Sequence, residues 1–377
     1  MRKISSAILL SAFLVFISCK NNVGEAETKD DKKDSVSMFY QSLVRLGNGF
    51  IDVFNAFSGL VADAFFTADP KKSEVKTYFD SISKKLKSTK EKLESLSNKK
   101  ENSNADSADA GSADAGAKDG KKGDAVTSVV QEVNKWLEEM MKAAEKAAAA
   151  GDTGNSKIGD VANGAAGTKA DDASVKGIAL GIKGIVDAAG KASGEDGGGA
   201  LKGVKEATGN SNGDAGKLFD TQGGGGQADA ADVGKASDAV SAVSGKQIIK
   251  AIVDAAGKGD GDHAGAAAGA AKNPIAAAIG QANQAGAAFN NNNNDMKKDD
   301  KIAAAIVLRG LAKGGKFAAT DENGAKSAKS VIESAVQKSM AALSGIIRDS
   351  IELGLKKVSD AVQAKGKSVP GAASTQE

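Results

Sequence analysis

Long stretches of this chain place apolar side chains every three or four residues and hold almost no proline. That spacing lines the apolar residues along one face of an α-helix, and only 3 prolines occur in 377 residues. Four such stripes run from Phe39 to Val61, from Val75 to Leu96, from Val126 to Met141 and from Val331 to Val362. The pattern predicts an all-α fold whose long helices come from both ends of the chain.

Two segments separate the first three stripes. Aspartate caps helices and proline is tolerated in a first helical turn, so Asp69-Pro70 is expected to end one helix and open the next. Residues 101–124 contain two tandem copies of SADAG and are predicted to form a low-complexity loop. The first two helices, joined by a short turn, are expected to pack as an antiparallel pair.

The composition changes in the middle of the chain, over residues 150–295. Residues 151–290 hold 30 of the 46 glycines, which favours short alanine-rich helices ended by glycine. Exposed connections are predicted at Gly223–Gly226 and Asn290–Asn294, and alanine should be tolerated at the former unless a glycine there needs positive φ. We expect the terminal helices to form an elongated bundle, with this Gly/Ala-rich region of short helices and loops at its distal end.

Residues 296–317 contain an apolar run, Ile302 to Leu308, that covers every side of a helix. A helix that is apolar all round must be buried on several sides. Asp299 and Asp300 suit its positive N-terminal end, and Gly314-Gly315 suits its termination. This segment is therefore predicted to be a buried helix.

The chain begins like a secreted lipoprotein. Met1-Arg2-Lys3 is basic, and the apolar run over residues 7–17 is shorter than the ~20 residues that span a bilayer but suits a signal peptide. Ser18 then precedes Cys19, the only cysteine of the chain. This looks like a lipobox, which predicts cleavage between Ser18 and Cys19 and lipidation of Cys19 by an S-diacylglycerol and an N-acyl group. An ordinary signal peptide cleaved elsewhere is the alternative.

The predicted domain organisation follows from these segments. Residues 1–18 would be a signal peptide, and residues 19–37 a charged tether that starts at the lipidated cysteine. Residues 38–377 would be a single helical ectodomain. It comprises N-terminal helices over 38–149, the Gly/Ala-rich region over 150–295, the segment 296–317 and a C-terminal helix over 325–365.

The counts of reactive side chains exclude most site chemistry. One cysteine and one histidine cannot build a Cys/His zinc site or, in their separate contexts, a catalytic dyad. Removal of residues 1–18 takes Arg2 and Lys3 from the 50 basic residues and leaves 48 basic and 48 acidic ones, a balance unlike that of nucleic-acid-binding proteins. We therefore predict no enzyme, no cofactor, no metal site and no nucleic-acid partner.

Three weaker motifs are interpreted as structural. Gly366-Lys367-Ser368 resembles the end of a phosphate-binding loop, but Ala361 stands where its first glycine is required. Asp260-Gly261-Asp262 hints at a calcium loop but lacks the later ligands, so His263 beside it is expected to be exposed. Lysine pairs such as Lys84-Lys85 could bind sulfated sugars, although a solvated helix face is the favoured interpretation.

Four segments carry a family resemblance. They begin at Phe39 (FYQSLVRLGNGFIDVF), Asp69 (DPKKSEVKTYF), Ala173 (ASVKGI) and Lys272 (KNPIAAAI). All resemble the variable large proteins of Borrelia, the variable major lipoproteins related to the VlsE surface antigen. The segment 296–317, MKKDDKIAAAIVLRGLAKGGKF, is similar to that family's invariable segment.

The resemblance implies a mostly helical protein that is lipid-anchored in the cell outer membrane and exposed on the cell surface. Such proteins serve antigenic variation and immune evasion, with one allele expressed at a time, so host antibodies are the implied partners. It also implies that both chain ends lie near the membrane and that variable segments lie outermost. An adhesin that binds host matrix or serum components is the alternative function, and the sequence leaves a host ligand and a homo-oligomer open.

Overall fold

The computed structural model describes residues 69–98, 120–194, 199–259, 263–289 and 295–367. Its α-helices are α1 (Ser73–Asn98), α2 (Gly120–Ala150), α3 (Asp172–Ala192), α4 (Ala230–Ala242), α5 (Gly245–Ala256), α6 (Pro274–Ile279), α7 (Asp299–Leu311) and α8 (Glu322–Lys367). Two strands, β1 (Val161–Asn163) and β2 (Phe317–Ala319), pair in parallel. Short 3-10 helices lie at Gly199–Leu201, Gly213–Phe219, Ala268–Ala270 and Asp295–Lys297. The predicted all-α fold is confirmed.

The predicted apolar stripes of α1 and α2 pack against each other. The buried members are Val75, Phe79, Ile82, Leu86 and Leu93 of α1 and Val126, Val130, Val133, Leu137 and Met140 of α2. Trp136 is also buried, since its ring lies against Gly354 of α8. The stripe from Phe39 to Val61 lies outside the described residues.

Two segments predicted to lie between helices, Asp69-Pro70 and residues 101–124, differ from expectation in their described parts. α1 begins at Ser73, so Asp69 does not cap it and Pro70 is not in its first turn. Asp69 instead has φ 62°, a left-handed conformation that few non-glycine residues adopt. α2 begins at Gly120, so residues 120–124 are helical rather than part of a loop.

Glycines allow α2 and α3 to approach closely. The pairs in contact are Gly177 with Ala150, Gly181 with Ala147, and Gly184 with Ala143, and a Cβ on each glycine would lie 2.4, 2.5 and 2.7 Å from the alanine Cβ. Non-bonded carbon atoms pack at about 3.5–4.0 Å, so only glycine fits at these positions. These glycines lie inside a helix and act as packing residues, not as helix ends.

The Gly/Ala-rich region shares its core with the terminal helices. α3 packs on α2 and α8, and helices α4, α5 and α6 all contact α7. The isoleucines of this region are fully buried: Ile178, Ile182, Ile185, Ile248, Ile252, Ile275 and Ile279. Because these side chains are set among the alanines, the described part of the region buries enough apolar surface to join a common core.

Helix α7 lies at the centre of this core. Every residue from Ile302 to Leu311 is buried, and helices α3, α4, α5, α6 and α8 contact it. The predicted burial of a helix that is apolar on every side is confirmed. Asp299 and Asp300 stand in its first turn as expected, and Gly314, with φ 75°, follows its end.

A two-stranded parallel sheet connects the segment 296–317 to the chain before α3. Val161 pairs with Phe317, Ala162 with Ala318 and Asn163 with Ala319. These strands cannot be recognised in the sequence, because three residues are too few to show an alternating pattern. The sheet fixes the chain that follows α7 against the loop that precedes α3.

Polar side chains define several helix ends. Asp171, Asp229, Ser244 and Asn273 cap the N-termini of α3, α4, α5 and α6. Lys338 of α8 caps the C-terminal end of α4: its Nζ donates to the carbonyl oxygens of Val240 at 2.7 Å and Val243 at 2.8 Å. A cation is favoured at a helix C-terminus by the helix dipole. Two buried cations, Arg309 and Lys72, bind the C-terminal ends of α6 and α7 in the same way.

Candidate functional surface and the buried cations beneath it

The predicted site residues have different outcomes. Ser18 and Cys19 lie outside the described residues, so cleavage and lipidation stay predictions. The residues 260–262 also lie outside them, but His263 is described and is only 1% exposed. Its Nε2 lies 2.9 Å from the carbonyl oxygen of Ala255. The expectation of an exposed histidine is wrong because a carbonyl at the end of α5 gives the ring a buried partner.

The described surface is polar and carries few anchoring side chains. All aromatic residues in the described part of the chain are buried: Tyr78, Phe79, Trp136, Phe219, Phe289 and Phe317. The one large apolar side chain exposed there is Leu353, at 43%. No group of three or more His, Cys, Asp or Glu in these ranges could hold a metal ion. None of the described helices has the length and apolar character needed to cross a membrane.

Five loops are joined into one surface, which we call the loop face. It comprises residues 163–169, 221–226, 281–286, 313–316 and 320–321. The backbone hydrogen bonds that join it are Gly167 N to Asp220 O (3.1 Å), Thr168 N to Lys316 O (2.9 Å), Thr221 N to Gln284 O (2.9 Å) and Gly164 N to Ala319 O (2.8 Å). Its exposed residues are mostly Ala, Gly, Asn, Gln and Thr, with charges at Lys169, Lys313 and Asp321.

Asp220 organises the loop face from beneath. Its fully buried carboxylate accepts hydrogen bonds from the backbone N–H groups of Gly223 and Gly286, both at 2.7 Å. Gly223–Gly225 have φ between 76° and 107°, a range that other residues rarely adopt. A Cβ at Gly226 would lie 2.7 Å from Asp220 Oδ2. Alanine is therefore disfavoured at each position of 223–226. The expectation that alanine would be tolerated there excluded glycines that need positive φ, and Gly223–Gly225 have positive φ.

Below the loop face, α7 places the buried cation Arg309 at the C-terminal end of α6. Its Nε donates to the carbonyl oxygen of Ala278 at 2.9 Å. The terminal nitrogens lie 3.3–3.4 Å from the carbonyl oxygens of Phe219, Ala277 and Ile279. Burial lowers the pKa of Arg309 to about 9, so the group stays cationic at neutral pH. The carbonyl oxygens and the negative end of α6 offset part of the cost of burying that charge.

Two phenylalanines lie against this guanidinium group, and a third packs on one of them. Arg309 Cζ lies 4.6 Å from the ring centroid of Phe219 and 5.9 Å from that of Phe317, which adds cation–π attraction. Phe219 also meets Phe289 and Phe317 edge to face, with centroids 5.4 and 5.3 Å apart. Residues far apart in sequence are thereby fixed under the loop face.

A second buried cation, Lys72, occupies the C-terminal end of α7. Its Nζ donates to the carbonyl oxygens of Arg309 at 3.1 Å, Ala312 at 2.7 Å and Gly315 at 2.7 Å. Burial lowers the pKa of Lys72 to about 7, while the charge of Asp160 raises it. The three acceptors favour the ammonium form, because a neutral amine has only two hydrogens to donate.

Sequence reasoning missed both buried cations. A signal did exist for Arg309, which is the single charged residue between Ile302 and Leu311. A charge inside a helix that is apolar all round must find polar partners in the core. Lys72 has no such signal, since its neighbours in sequence are polar and its partners lie 237–243 residues later.

Comparison with known proteins places this architecture in a family. A family model described as Borrelia lipoprotein matches residues 50–362. The chain belongs to the Borrelia lipoprotein family. Variable large protein 12 of Borrelia hermsii is 34% identical to this chain over 378 residues, which cover 96% of this chain and 93% of the relative. Variable large protein 4 of the same organism is 32% identical, with coverage of 96% and 93%.

A solved structure shares the fold of this chain. It is the crystal structure of the Lyme disease variable surface antigen VlsE of Borrelia burgdorferi, which superimposes with a TM-score of 0.66. The two sequences are 44% identical, and the match covers 86% of this chain and 99% of VlsE. The predicted relationship to the variable large proteins and VlsE is confirmed. These relatives are named as variable proteins and antigens, not as enzymes.

Proposed function

We propose that this Borrelia lipoprotein is anchored in the outer membrane through lipid on Cys19 and presents the loop face to host antibodies at the cell surface. The observation that carries the proposal is the likeness to the variable surface antigen VlsE, at 44% identity over 86% of this chain. Exchange of the expressed allele would replace the exposed side chains of the loop face. Antigenic variation and immune evasion would follow from that exchange.

The character of the loop face supports a role in display. Its exposed side chains are short and mostly uncharged, and its loops are fixed by backbone hydrogen bonds and by the buried Asp220. Antibody combining sites supply tyrosine, tryptophan and adaptable polar groups of their own. A rigid polar surface without aromatic anchors is therefore sufficient as an antigen.

The anchor is tested at the cysteine. A thioether-linked diacylglycerol and an acylated amine would place several acyl chains on Cys19, and two or more such chains give stable membrane binding. We expect Cys19→Ala to lose palmitate label in cells and to leave the membrane fraction. Ser18→Ala keeps a small residue before the cysteine and should retain the label. Palmitate incorporated into Cys19→Ala would refute the anchor.

Display is tested with antibodies that bind intact cells. A loop-face variant, Gln222→Arg with Gln281→Arg and Thr320→Arg, should lose most of the binding of a serum raised against the folded native chain. Three exposed positions of α1, Thr77, Lys84 and Ser88, provide the matched control when changed to Glu. Unchanged serum binding by the loop-face variant would contradict display through this surface.

The competing prediction, an adhesin, makes a different demand on the same variants. It would use a Lys-rich or an Ala/Gly surface, and of the lysine pair on α1, Lys84 is exposed and Lys85 half-buried. Protein interfaces draw most of their binding energy from tryptophan, tyrosine and arginine, and the described aromatic residues are buried. Loss of attachment to host cells by the α1 control, with antibody binding intact, would favour adhesion.

A further inference from the structure

The chain enters the described fold through a short pairing of two segments, which we call the clasp. It consists of residues 69–72 and 155–158. Lys71 and Lys157 form an antiparallel bridge. Two backbone hydrogen bonds flank it, from Lys72 N to Ser156 O at 2.8 Å and from Ile158 N to Pro70 O at 2.9 Å.

Asp69 fastens the outer end of the clasp. Its carboxylate pairs with Lys157 at 2.8 Å and also with Lys329 of α8. Its φ of 62° lies in the left-handed region, which aspartate adopts more readily than most non-glycine residues. The outer end of the clasp is thus fixed to a second helix as well as to its own partner segment.

Lys72 fastens the inner end. Its side chain runs from the clasp into the core, where Nζ lies 2.7 Å from the carbonyl oxygens of Ala312 and Gly315. These carbonyl groups follow the last residue of α7 and have no helical partner of their own. Withdrawal of Lys72 would leave them buried without a donor, a state that proteins avoid.

The partner segment of the clasp continues directly into the sheet. Ile158 is followed within three residues by β1, and Phe317 N of β2 donates to the carbonyl oxygen of Asp160 at 3.0 Å. The clasp, the end of α7 and the β1–β2 pair are therefore connected by hydrogen bonds without a break. Groups linked in this way tend to open together rather than one at a time.

We propose that the clasp opens and closes as one cooperative unit with the end of α7 and the β1–β2 pair, so that release of Lys72 uncovers the buried residues Ala312, Gly315 and Phe317 at the C-terminal end of the segment 296–317. In the closed form these three residues are buried, with Lys72 bound to the carbonyl oxygens of Ala312 and Gly315, whereas Lys313 and Gly314 between them are exposed. Access to these residues then depends on whether residues 69–72 are paired in the clasp. The proposal does not depend on the lipid anchor.

Amide hydrogen exchange on the full chain tests the proposal. In the native chain the amides of Ile158 and Phe317 should open with one common rate. In Lys72→Met, which keeps an unbranched apolar stem but removes the donors, both should exchange at least tenfold faster and by the same factor. Val133 of α2 should be unaffected. Lys71→Met is the matched control, since Lys71 Nζ donates to the exposed side chain of Asn155, at 3.4 Å, rather than to the end of α7.

Two results would overturn the proposal. One is exchange at Ile158 that rises in Lys72→Met while exchange at Phe317 does not, since this would separate the clasp from the sheet. The other is an equal effect of Lys71→Met. If Lys72→Met fails to fold, the native chain in low urea gives the same test. The two amides must then show the same dependence of opening on urea, and different slopes exclude a common unit.

Discussion

Replacing Gly181 by alanine should destabilise the protein, although alanine is the better helix former. Gly181 lies within α3 and faces α2. A Cβ there would lie 2.5 Å from Ala147 Cβ, 2.8 Å from the carbonyl oxygen of Ala143 and 2.9 Å from Ala147 N. Two of these atoms belong to the α2 backbone, so no side-chain rotation can relieve the contact. The two helices must move apart by about 1 Å to reach ordinary contact distances.

The magnitude follows from two opposing terms. Overpacking in a well-packed core costs roughly 1–3 kcal/mol, and three short contacts place this site near the upper value. Alanine regains about 0.5–1 kcal/mol of helix propensity. We expect the free energy of unfolding to fall by about 2 kcal/mol, which lowers Tm by roughly 3–4 °C for a domain of more than about 250 residues.

The matched control is Gly345→Ala in α8. A Cβ at Gly345 meets nothing within 4 Å, so the same chemical change gains helix propensity without overpacking. The control should raise the free energy of unfolding by about 0.5–1 kcal/mol. Urea unfolding followed by circular dichroism measures both variants. Stabilisation by Gly181→Ala equal to that of Gly345→Ala would refute the argument that glycine is needed for the close approach of α2 and α3.

Three further predictions concern the core. Burial lowers the pKa of Lys72 from 10.5 to about 7, so between these pH values the unfolded chain binds more protons than the folded one, and the free energy of unfolding rises with pH. From pH 7 to 10 this increase should be about 2–4 kcal/mol larger in the native chain than in Lys72→Met. Equal increases in the two proteins, measured by urea titration, would contradict the prediction. Arg309→Ala should cost about 3–5 kcal/mol in urea unfolding, because it leaves a cavity and unsatisfied carbonyl groups, and a loss near zero would show that the guanidinium is not structural. Antibodies to a peptide of 296–317 should bind denatured protein but bind intact cells poorly, because Ile302–Leu311 is buried; binding to cells at the level of loop-face antibodies would exclude that burial.

The long helices and the central position of α7 could be predicted from the sequence because both depend on local pattern. The spacing of Val75, Phe79 and Ile82 predicts a buried helix face, and these residues are buried. The run from Ile302 to Leu308 is apolar on every side, which allows no exposed face. Such features depend on a few consecutive residues, so the rest of the fold is not needed to infer them.

The buried cations and the glycine contacts depend on residues that are distant in the chain. Lys72 is stable in the core only because the end of α7 supplies its acceptors. Glycines of the Gly/Ala-rich region are expected from composition to end helices, but Gly181 lies inside α3, where Ala147 of α2 occupies the space that a Cβ would need. His263 likewise becomes a core residue through Ala255. Local sequence cannot show which distant group will stand opposite a given side chain.

The way in which the loop face is joined determines how freely its sequence can evolve. Thr168 and Lys316 exchange two hydrogen bonds through their backbone N–H and C=O groups. Backbone groups are present whatever the side chain, so a codon change at such a position alters the surface while the bond is retained. Gly167 is an exception, because a Cβ there would lie 2.5 Å from the carbonyl oxygen of Lys316. The loop face can therefore accumulate substitutions at many positions with little loss of stability, and purifying selection should fall on its glycines.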